Sequence, residues 1–369
     1  MTSLRGRNAR ALGISQSGAA LLIILAIVLV GFTLALTSVL SINAIRLKGT
    51  QKNIEVMAQA KEALLGYALR QQPVGGLPCP DTNEDGFSNT TGANCTAYLG
   101  RLPFKTLSLP ELRDSEGNRL WYAVDRNLVT VSTATKNPSL LTTLTLNAQS
   151  TAAIIIAANG VVEDQVRGNT ITTAAYLEGE NASANTAFFE QAVSEINNDQ
   201  LLGIGLTEFW NLMQRSYLAQ VANVLTAYKG ACGEYPWAAS FGGPPYNSVD
   251  LQQRGALPLH SALPVNWNTG CASGITPSAW WYSNWGTEVY YSMCTAAQGN
   301  CLTITGASPS TLSAVTIAPG VGLAGQARPS TDLTNYFEQS NANGTSPFEF
   351  MSTLQFSESF NDVVYPITP

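Results

Sequence analysis

The stretch "SQSGAALLIILAIVLVGFTLAL", residues 15–36, decides how the chain is organised. It begins with small polar residues up to Gly18 and then becomes almost purely aliphatic, and no charged residue lies between Arg10 and Arg46. About 20 apolar residues in a helix cross about 30 Å of hydrocarbon. Residues 19–45 are therefore predicted to form a transmembrane helix. Basic residues without any acid precede the run and favour a cytoplasmic N-terminus, although further basic residues follow it.

A secretory signal peptide is an alternative interpretation of the same run. The tripeptide "TLA", which ends at Ala35, fits a signal-peptide cleavage site, so this alternative stays open. However, a helical pattern continues beyond Ala35, because apolar residues recur at three-to-four spacing at Ile54, Met57, Leu64, Leu65, Ala68 and Leu69. This pattern predicts one helix of about 50 residues, about 75 Å long, whose second half packs on a globular domain.

A short basic leader that ends in glycine, an apolar run directly after it, and a helix that continues into an amphipathic half resemble type IV prepilins and type II secretion pseudopilins. The resemblance implies that a prepilin peptidase cleaves between Gly18 and Ala19. It also implies that the subunit is held in the bacterial inner membrane with periplasmic domains, and later enters a pilus or pseudopilus. The implied partners are other pilins or pseudopilins and the assembly platform.

One position departs from the common pattern of this family. Most members carry glutamate at the fifth mature position, where this chain has Ile23. The chain in this respect resembles the minor subunits, K-type and X-type, in which that glutamate is absent. A carboxylate in an apolar bundle is costly unless it is paired. The resemblance therefore implies a minor pilin or pseudopilin-like structural subunit rather than a major one.

The chain also matches itself at a shift of about 160 residues, and the order of the matches is preserved. The matching pairs are "AQAKEALLGYA" (58–68) with "AQVANVLTAYK" (219–229), "IIIAANGVVEDQVR" (154–167) with "AVTIAPGVGLAGQAR" (314–328), and "YLEGENAS" (176–183) with "YFEQSNAN" (336–343). The alternative is chance similarity in a background rich in Ala, Thr and Asn. We interpret the matches as a tandem duplication.

The predicted fold class is α+β, with a long pilin-like helix followed by two tandem modules. Each module is predicted to contain a helix lying on a small antiparallel sheet. The predicted boundaries are a leader over residues 1–18, a transmembrane half-helix over 19–45, a first module over 46–203 and a second module over 204–369.

All six cysteines follow the apolar run, and none forms a C-x-x-C pair. Their even number and wide spacing favour disulfides, and hence an oxidising compartment, over six free thiols in a cytosolic protein. Sequence proximity favours three pairs, although the four cysteines of the second half allow three connectivities. The favoured pairs are Cys79 with Cys95, Cys232 with Cys271, and Cys294 with Cys301.

The segment "CPDTNEDGFSNTTGANC", residues 79–95, contains a D-x-N-x-D-G pattern. Oxygen ligands at alternate positions, with a glycine at the sharp turn, are typical of a calcium loop. The candidate ligands are the side chains of Asp81, Asn83 and Asp85 and the carbonyl of Phe87. The glutamate expected at the twelfth position is replaced by Gly92, so further ligands must come from elsewhere. A polar turn closed by a disulfide is the alternative. Several pseudopilins bind calcium, so the resemblance implies the same here.

An aromatic run, "SAWWYSNWGTEVYY", occupies residues 278–291. Such a run forms either a core strand with its flanking turn or a platform that binds sugars or proteins, and the strand-like "EVYY" favours the core strand. The candidate binding residues are Trp280, Trp281, Tyr282 and Trp285. The platform interpretation leads to a competing function, a surface-anchored or secreted adhesin that binds through its second module.

Charge and motifs argue against two other classes. The net charge is −6 and charged residues make up only 12%, with no basic cluster beyond the N-terminus, so nucleic acid is not an expected partner. His260 is the only histidine, and no P-loop, G-x-S-x-G or H-E-x-x-H motif occurs. Scattered acids do not single out a hydrolase pair, so we expect no catalytic residues and no enzymatic activity.

Overall fold

The computed structural model describes the backbone in a set of ranges, and the remaining residues are left aside. These ranges are 17–162, 165–168, 172–183, 185–241, 253–259, 267–286, 288–306, 310–342, 349–353 and 355–367. His260 lies outside them, as do the leader residues 1–16. Of the side chains between residues 17 and 46, only Leu25 and those of residues 27–30 are described.

The chain divides into two units, Met1–Lys52 and Asn53–Pro369. Helix α1 runs from Ser17 to Leu69, so its residues belong to both units. In the first unit, the described apolar side chains are largely exposed: Leu25 by 58%, Ile27 by 66%, Val28 by 61%, Leu29 by 59% and Val30 by 56%. We call these five residues the apolar segment.

The prediction of a transmembrane half-helix over residues 19–45 is wrong. A membrane-spanning helix needs about 20 consecutive apolar residues. Among the described residues, none of the helices combines the length and the apolarity that crossing a membrane requires. The predicted location in the inner membrane depended on that segment, so it is wrong as well. The described residues form α-helices and mainly antiparallel strands, so the α+β class itself stands.

Two further α-helices lie in the described part of the second unit. Helix α2 spans Leu206–Cys232. Gly233 follows it as the C-cap, and its φ of 86° lies in the left-handed region that favours glycine at a helix C-terminus. Helix α3 spans Ala279–Trp285. Short 3₁₀ helices cover Thr173–Ala175, Gly179–Ala182, Gly270–Ala272, Ala296–Gln298, Leu333–Asn335 and Gln339–Ala342.

The first half of the second unit contains eight described strands. They are β1 (Thr90–Thr91), β2 (Asn94–Cys95), β3 (Leu99–Arg101), β4 (Trp121–Val124), β5 (Thr145–Leu146), β6 (Gln149–Ala157), β7 (Ala187–Phe188) and β8 (Gln200–Gly205). Strands β3, β4, β6 and β8 are antiparallel neighbours in that order. Strand β5 pairs with the start of β6, and β7 runs parallel to β5.

The second half contains seven described strands. They are β9 (Arg254–Ala256), β10 (Tyr290–Met293), β11 (Leu302–Gly306), β12 (Ser310–Leu312), β13 (Ala314–Ala318), β14 (Glu349–Ser352) and β15 (Val363–Ile367). Strands β9, β10, β13 and β15 are antiparallel neighbours in that order. Strand β11 pairs antiparallel with β12 and parallel with β14.

The four-stranded arrangements of the two halves have the same strand order and the same strand directions. Individual contacts also correspond: the Tyr122 hydroxyl donates to the Pro78 carbonyl, and the Tyr291 hydroxyl donates to the Pro236 carbonyl, each at 3.1 Å. These tyrosines occupy equivalent positions in β4 and β10, since each pairs with the glycine of the adjacent edge strand. The residue boundaries predicted for the modules stay a prediction.

The principal core joins both halves. It contains residues of α1 after Lys52, residues of α2, and residues of both four-stranded arrangements. Helix α2 contacts β6 and β8 of the first half as well as β13 and β15 of the second. Its buried face, which carries the period expected of an amphipathic helix, includes Phe209, Met213, Tyr217, Leu218, Val221 and Leu225. The second unit is therefore built around one shared core.

Candidate functional site

The predicted cleavage site lies at the start of α1. Helix α1 begins at Ser17, so Gly18 and Ala19 belong to its first turn. The apolar segment follows one to two turns later. Because successive helical residues are rotated by about 100°, the four consecutive residues 27–30 point around the whole helix. A helix that is apolar on all sides is ordinarily found buried.

The prediction of disulfides is confirmed. Cys79 is bonded to Cys95, Cys232 to Cys271, and Cys294 to Cys301, and no cysteine is free. These are the pairs that sequence proximity favoured. Disulfides are typical of extracellular and periplasmic proteins.

The D-x-N-x-D-G segment forms a tight polar loop. The buried Asp81 carboxylate accepts hydrogen bonds from the backbone N–H of Asn83 at 3.1 Å and of Gly86 at 2.8 Å. Asp85 accepts from the Phe87 N–H at 2.7 Å and from the Asn83 amide at 3.0 Å. These bonds, with that from Phe87 the strongest, lower the pKa of the exposed Asp85 carboxyl. The turn requires Gly86, whose φ is +86°.

Basic side chains surround this loop. Lys105 donates to the Asp85 carbonyl, Arg119 donates to the Glu84 carbonyl at 2.8 Å, and the Arg101 guanidinium lies 3.6 Å from the Glu84 carboxylate. Among the described residues, no three His, Cys, Asp or Glu side chains are grouped as metal ligands. Calcium binding by Asp81, Asn83, Asp85 and Phe87 stays a prediction.

The calcium prediction is tested by titrating the full chain with Ca²⁺ in a calorimeter. Since carboxylate ligands set the affinity of calcium loops, we expect saturable binding that Asp85→Asn weakens by at least about tenfold. Asp332→Asn is the matched control. Asp332 is another exposed aspartate that accepts a backbone hydrogen bond, from Thr334 at 2.9 Å. Absence of binding heat, or equal affinities of the wild type and Asp85→Asn, would show that the loop is only a polar turn.

The aromatic run is packed inside the protein rather than displayed on its surface. Trp281 and Trp285 are 2% and 0% exposed, and Trp280 and Tyr282 are half-buried. The ring of Tyr217 on α2 stacks on Trp285 with a centroid distance of 4.8 Å and meets Trp281 edge-on at 5.6 Å. The run therefore lies in the core. The predicted strand is confirmed only near its end, where β10 begins at Tyr290, whereas Ala279–Trp285 is helical.

Each half contains a polar cluster that the sequence analysis did not identify. The members are Gln165, Arg167, Glu178, Asn181 and Asp199 in the first half and Gln326, Arg328, Glu338, Asn341 and Asp362 in the second. The sequence did contain an indication of these clusters. The glutamate and the asparagine recur at the same spacing in the matching segments 176–183 and 336–343.

The clusters have the same hydrogen bonds. The glutamine amide donates to the glutamate carboxylate at 2.8 Å in both halves. The backbone N–H of the glutamate donates to the aspartate carboxylate at 3.0 Å in the first half and 2.9 Å in the second. These shared bonds in two separate segments indicate a structural role.

The arginine of each cluster holds the loop after the central strand. Arg167 donates to the Gly160 carbonyl at 2.8 Å and lies 4.9 Å from the centre of the Tyr176 ring. Arg328 donates to the Gly320 carbonyl at 2.7 Å and lies 5.0 Å from the Tyr336 ring. Each guanidinium thus ties a loop to a 3₁₀ helix through carbonyls and an aromatic face.

Two buried carboxyl groups lie side by side in each cluster. Burial, followed by the charge of Glu178, raises the pKa of Asp199 to about 8. Burial and the charge of Glu338 likewise raise the pKa of Asp362 well above its usual range. Two adjacent buried carboxylates repel one another, so the pair of Glu178 and Asp199 retains one proton at neutral pH.

This retained proton makes stability depend on pH. Between about pH 4, where an unfolded aspartate titrates, and about pH 8, the folded chain holds a proton that the unfolded chain lacks. The free energy of unfolding should therefore fall as the pH rises through this window, by up to about 1.4 kcal/mol per pH unit for one proton. Asp199→Asn keeps the shape but does not titrate, so we expect a shallower decline, measured by urea denaturation from pH 5 to 8.

Asp332→Asn serves as the control for this experiment. The pKa of Asp332 is lowered by the backbone N–H of Thr334, so its titration lies below the window. An Asp199→Asn chain with the same pH slope as the wild type would show that Asp199 is ionised in the folded protein.

Comparison of the chain with family models, curated proteins and solved structures found no match. The resemblance to prepilins consequently depends on the leader, the apolar run and the continuing helix.

Proposed function

We propose that the chain is a minor pilin-like or pseudopilin-like structural subunit of a type IV pilus or type II secretion filament, and that it assembles through α1. The observation that supports this most directly is the exposure of the apolar segment, 56–66% for each side chain. Full burial of one such side chain is worth about 1.5–3 kcal/mol. Burial of five against neighbouring subunits would contribute several kcal/mol to assembly.

Cleavage after Gly18 fits this role. It removes the leader and with it Arg5, Arg7 and Arg10, the only charged residues before Arg46. The mature chain would then have no charged side chain before Arg46, and the terminal amine would be the only charge in this part of the helix. A charged side chain in an apolar bundle is costly, so its removal favours packing. Ile23 stands where most members of the resembled family carry glutamate, which supports a minor position.

The second unit is a stably folded part of the chain. Three disulfides and one shared core hold both halves. The buried carboxyls described above are bonded to glutamine, asparagine and backbone groups, which supports a structural role for them. We therefore propose a structural, non-enzymatic subunit.

The proposal is tested by Leu25→Asp in the full chain. If Leu25 is buried between subunits, an unpaired carboxylate there should reduce incorporation into sheared filaments by at least about tenfold. Incorporation is measured by quantitative mass spectrometry, which should also find Ala19 as the first residue of the incorporated wild-type subunit. Leu141→Asp is the matched control, since Leu141 is 84% exposed on a loop of the second unit. Normal incorporation of Leu25→Asp would contradict the proposal.

A further inference from the structure

Features that differ between the two halves point to specialised roles, because features shared by both are explained by the common fold. One difference lies at the ends of β4 and β10. In the second half, β10 is followed by Cys294, whose disulfide to Cys301 ties it to the start of β11, and the Cys301 N–H donates to the Cys294 Sγ at 3.0 Å.

In the first half, Asp125 takes the place of this disulfide. Its carboxylate accepts hydrogen bonds from the N–H groups of Thr143 at 2.6 Å and Leu144 at 3.0 Å. Asp125 and Cys294 occupy equivalent positions, directly after the last residues of β4 and β10. The Asp125 N–H donates to the Ala152 carbonyl, and the Cys294 N–H donates to the Ser313 carbonyl. Each of these carbonyls lies one residue before the partner of the last strand residue, which is Ala153 for β4 and Ala314 for β10. The connection spans residues 126–142 in the first half and only 295–300 in the second.

A cavity of about 210 Å³ lies beside Asp125. Its apolar floor consists of the buried side chains of Leu99, Val124 and Leu144. Its rim carries polar and aromatic groups from four separate segments, namely Tyr98, Arg126, Thr143, Asn185 and Thr186. Hydrogen bonding between the Thr145 N–H and the Thr186 carbonyl at 2.8 Å fixes two of these segments together.

The second half carries different side chains at the equivalent positions. Tyr98 corresponds to Gln253. The Tyr98 carbonyl accepts from the N–H of Val124, the last residue of β4, and the Gln253 carbonyl accepts from the N–H of Met293, the last residue of β10. Arg126 corresponds to Thr295, which follows Cys294. Gln253 and Thr295 both donate to the Gln298 side chain. At these two equivalent positions, the first half therefore has an aromatic ring and a cation where the second half has uncharged polar side chains.

The charges around the cavity favour an anion next to Arg126. Arg126 is exposed, and among the described residues no carboxylate lies within ion-pair distance of it. Its guanidinium lies 5.5 Å from the centre of the Tyr98 ring. The Asp125 carboxylate is engaged with backbone N–H groups, and the Glu180 carboxylate accepts from the Asn185 amide at 3.0 Å.

We propose that this cavity binds an acidic sugar of the uronic acid class. The Arg126 guanidinium would pair with the sugar carboxylate, as guanidinium groups do with carboxylates generally. The Tyr98 ring and the apolar floor would pack against the C–H face of the pyranose. The polar groups of Thr143, Asn185 and Thr186 would bond to its hydroxyls. A terminal residue of a polysaccharide and a free monosaccharide present this same chemistry.

The test is calorimetric titration of the full chain with glucuronate, glucose and acetate. A charge-assisted bond to Arg126 should make glucuronate bind at least about tenfold more tightly than glucose. Arg126→Gln should lower the affinity for glucuronate to that for glucose. The control variant Arg215→Gln replaces an exposed arginine elsewhere, on α2, and should leave the glucuronate affinity unchanged. Because both side chains are exposed, both variants should keep the wild-type melting temperature.

Three results would overturn the proposal. They are an absence of saturable glucuronate binding, an unchanged glucuronate affinity in Arg126→Gln, and an acetate affinity equal to that of glucuronate. The last result would assign the cavity to carboxylates in general. The experiment does not involve the apolar segment, so its outcome is independent of filament assembly.

Discussion

The packing of α2 against two sheets at once is the constraint on which the rest of the second unit depends. Phe209, Tyr217 and Leu218 are fully buried, in a core that also contains residues of α1 and of both halves. Because cores are close-packed, neither half can shift without disturbing these side chains. The aromatic helix α3 adds Trp285, stacked on Tyr217, to the same core. Two similar halves are therefore joined through shared interior surface.

A shared core frees the peripheral loops to diverge. Both halves keep the glutamine, arginine and carboxyl clusters, which hold the loops next to the central strands. They differ at buried positions outside the principal core: a disulfide in one half is a carboxylate with backbone donors in the other, and Asp81 of the polar loop is replaced by Ala239. The first half thereby acquires a cavity and a polar loop on the same scaffold.

Several features were predictable from the sequence because they depend on local patterns. The apolar spacing in residues 206–225 indicates an amphipathic helix, and the order of the cysteines along the chain favoured the observed disulfide pairs. The polar clusters were not predicted, because Glu178 and Asp199 meet only once the sheet has formed. The aromatic residues near Trp281 have strand propensity, but packing on Tyr217 stabilises a helix instead. Apolar composition alone led to the membrane prediction, which the described helices do not support.

Hydrogen exchange of the full chain in increasing denaturant tests the shared core most directly. The backbone amides of β6 and β13, the central strands of the two halves, lie on the same core. If α2 joins the halves into one cooperative unit, these two strands should open with the same free energy and the same denaturant dependence. Protection of β13 at a denaturant concentration where β6 already exchanges, or the reverse, would contradict a shared core.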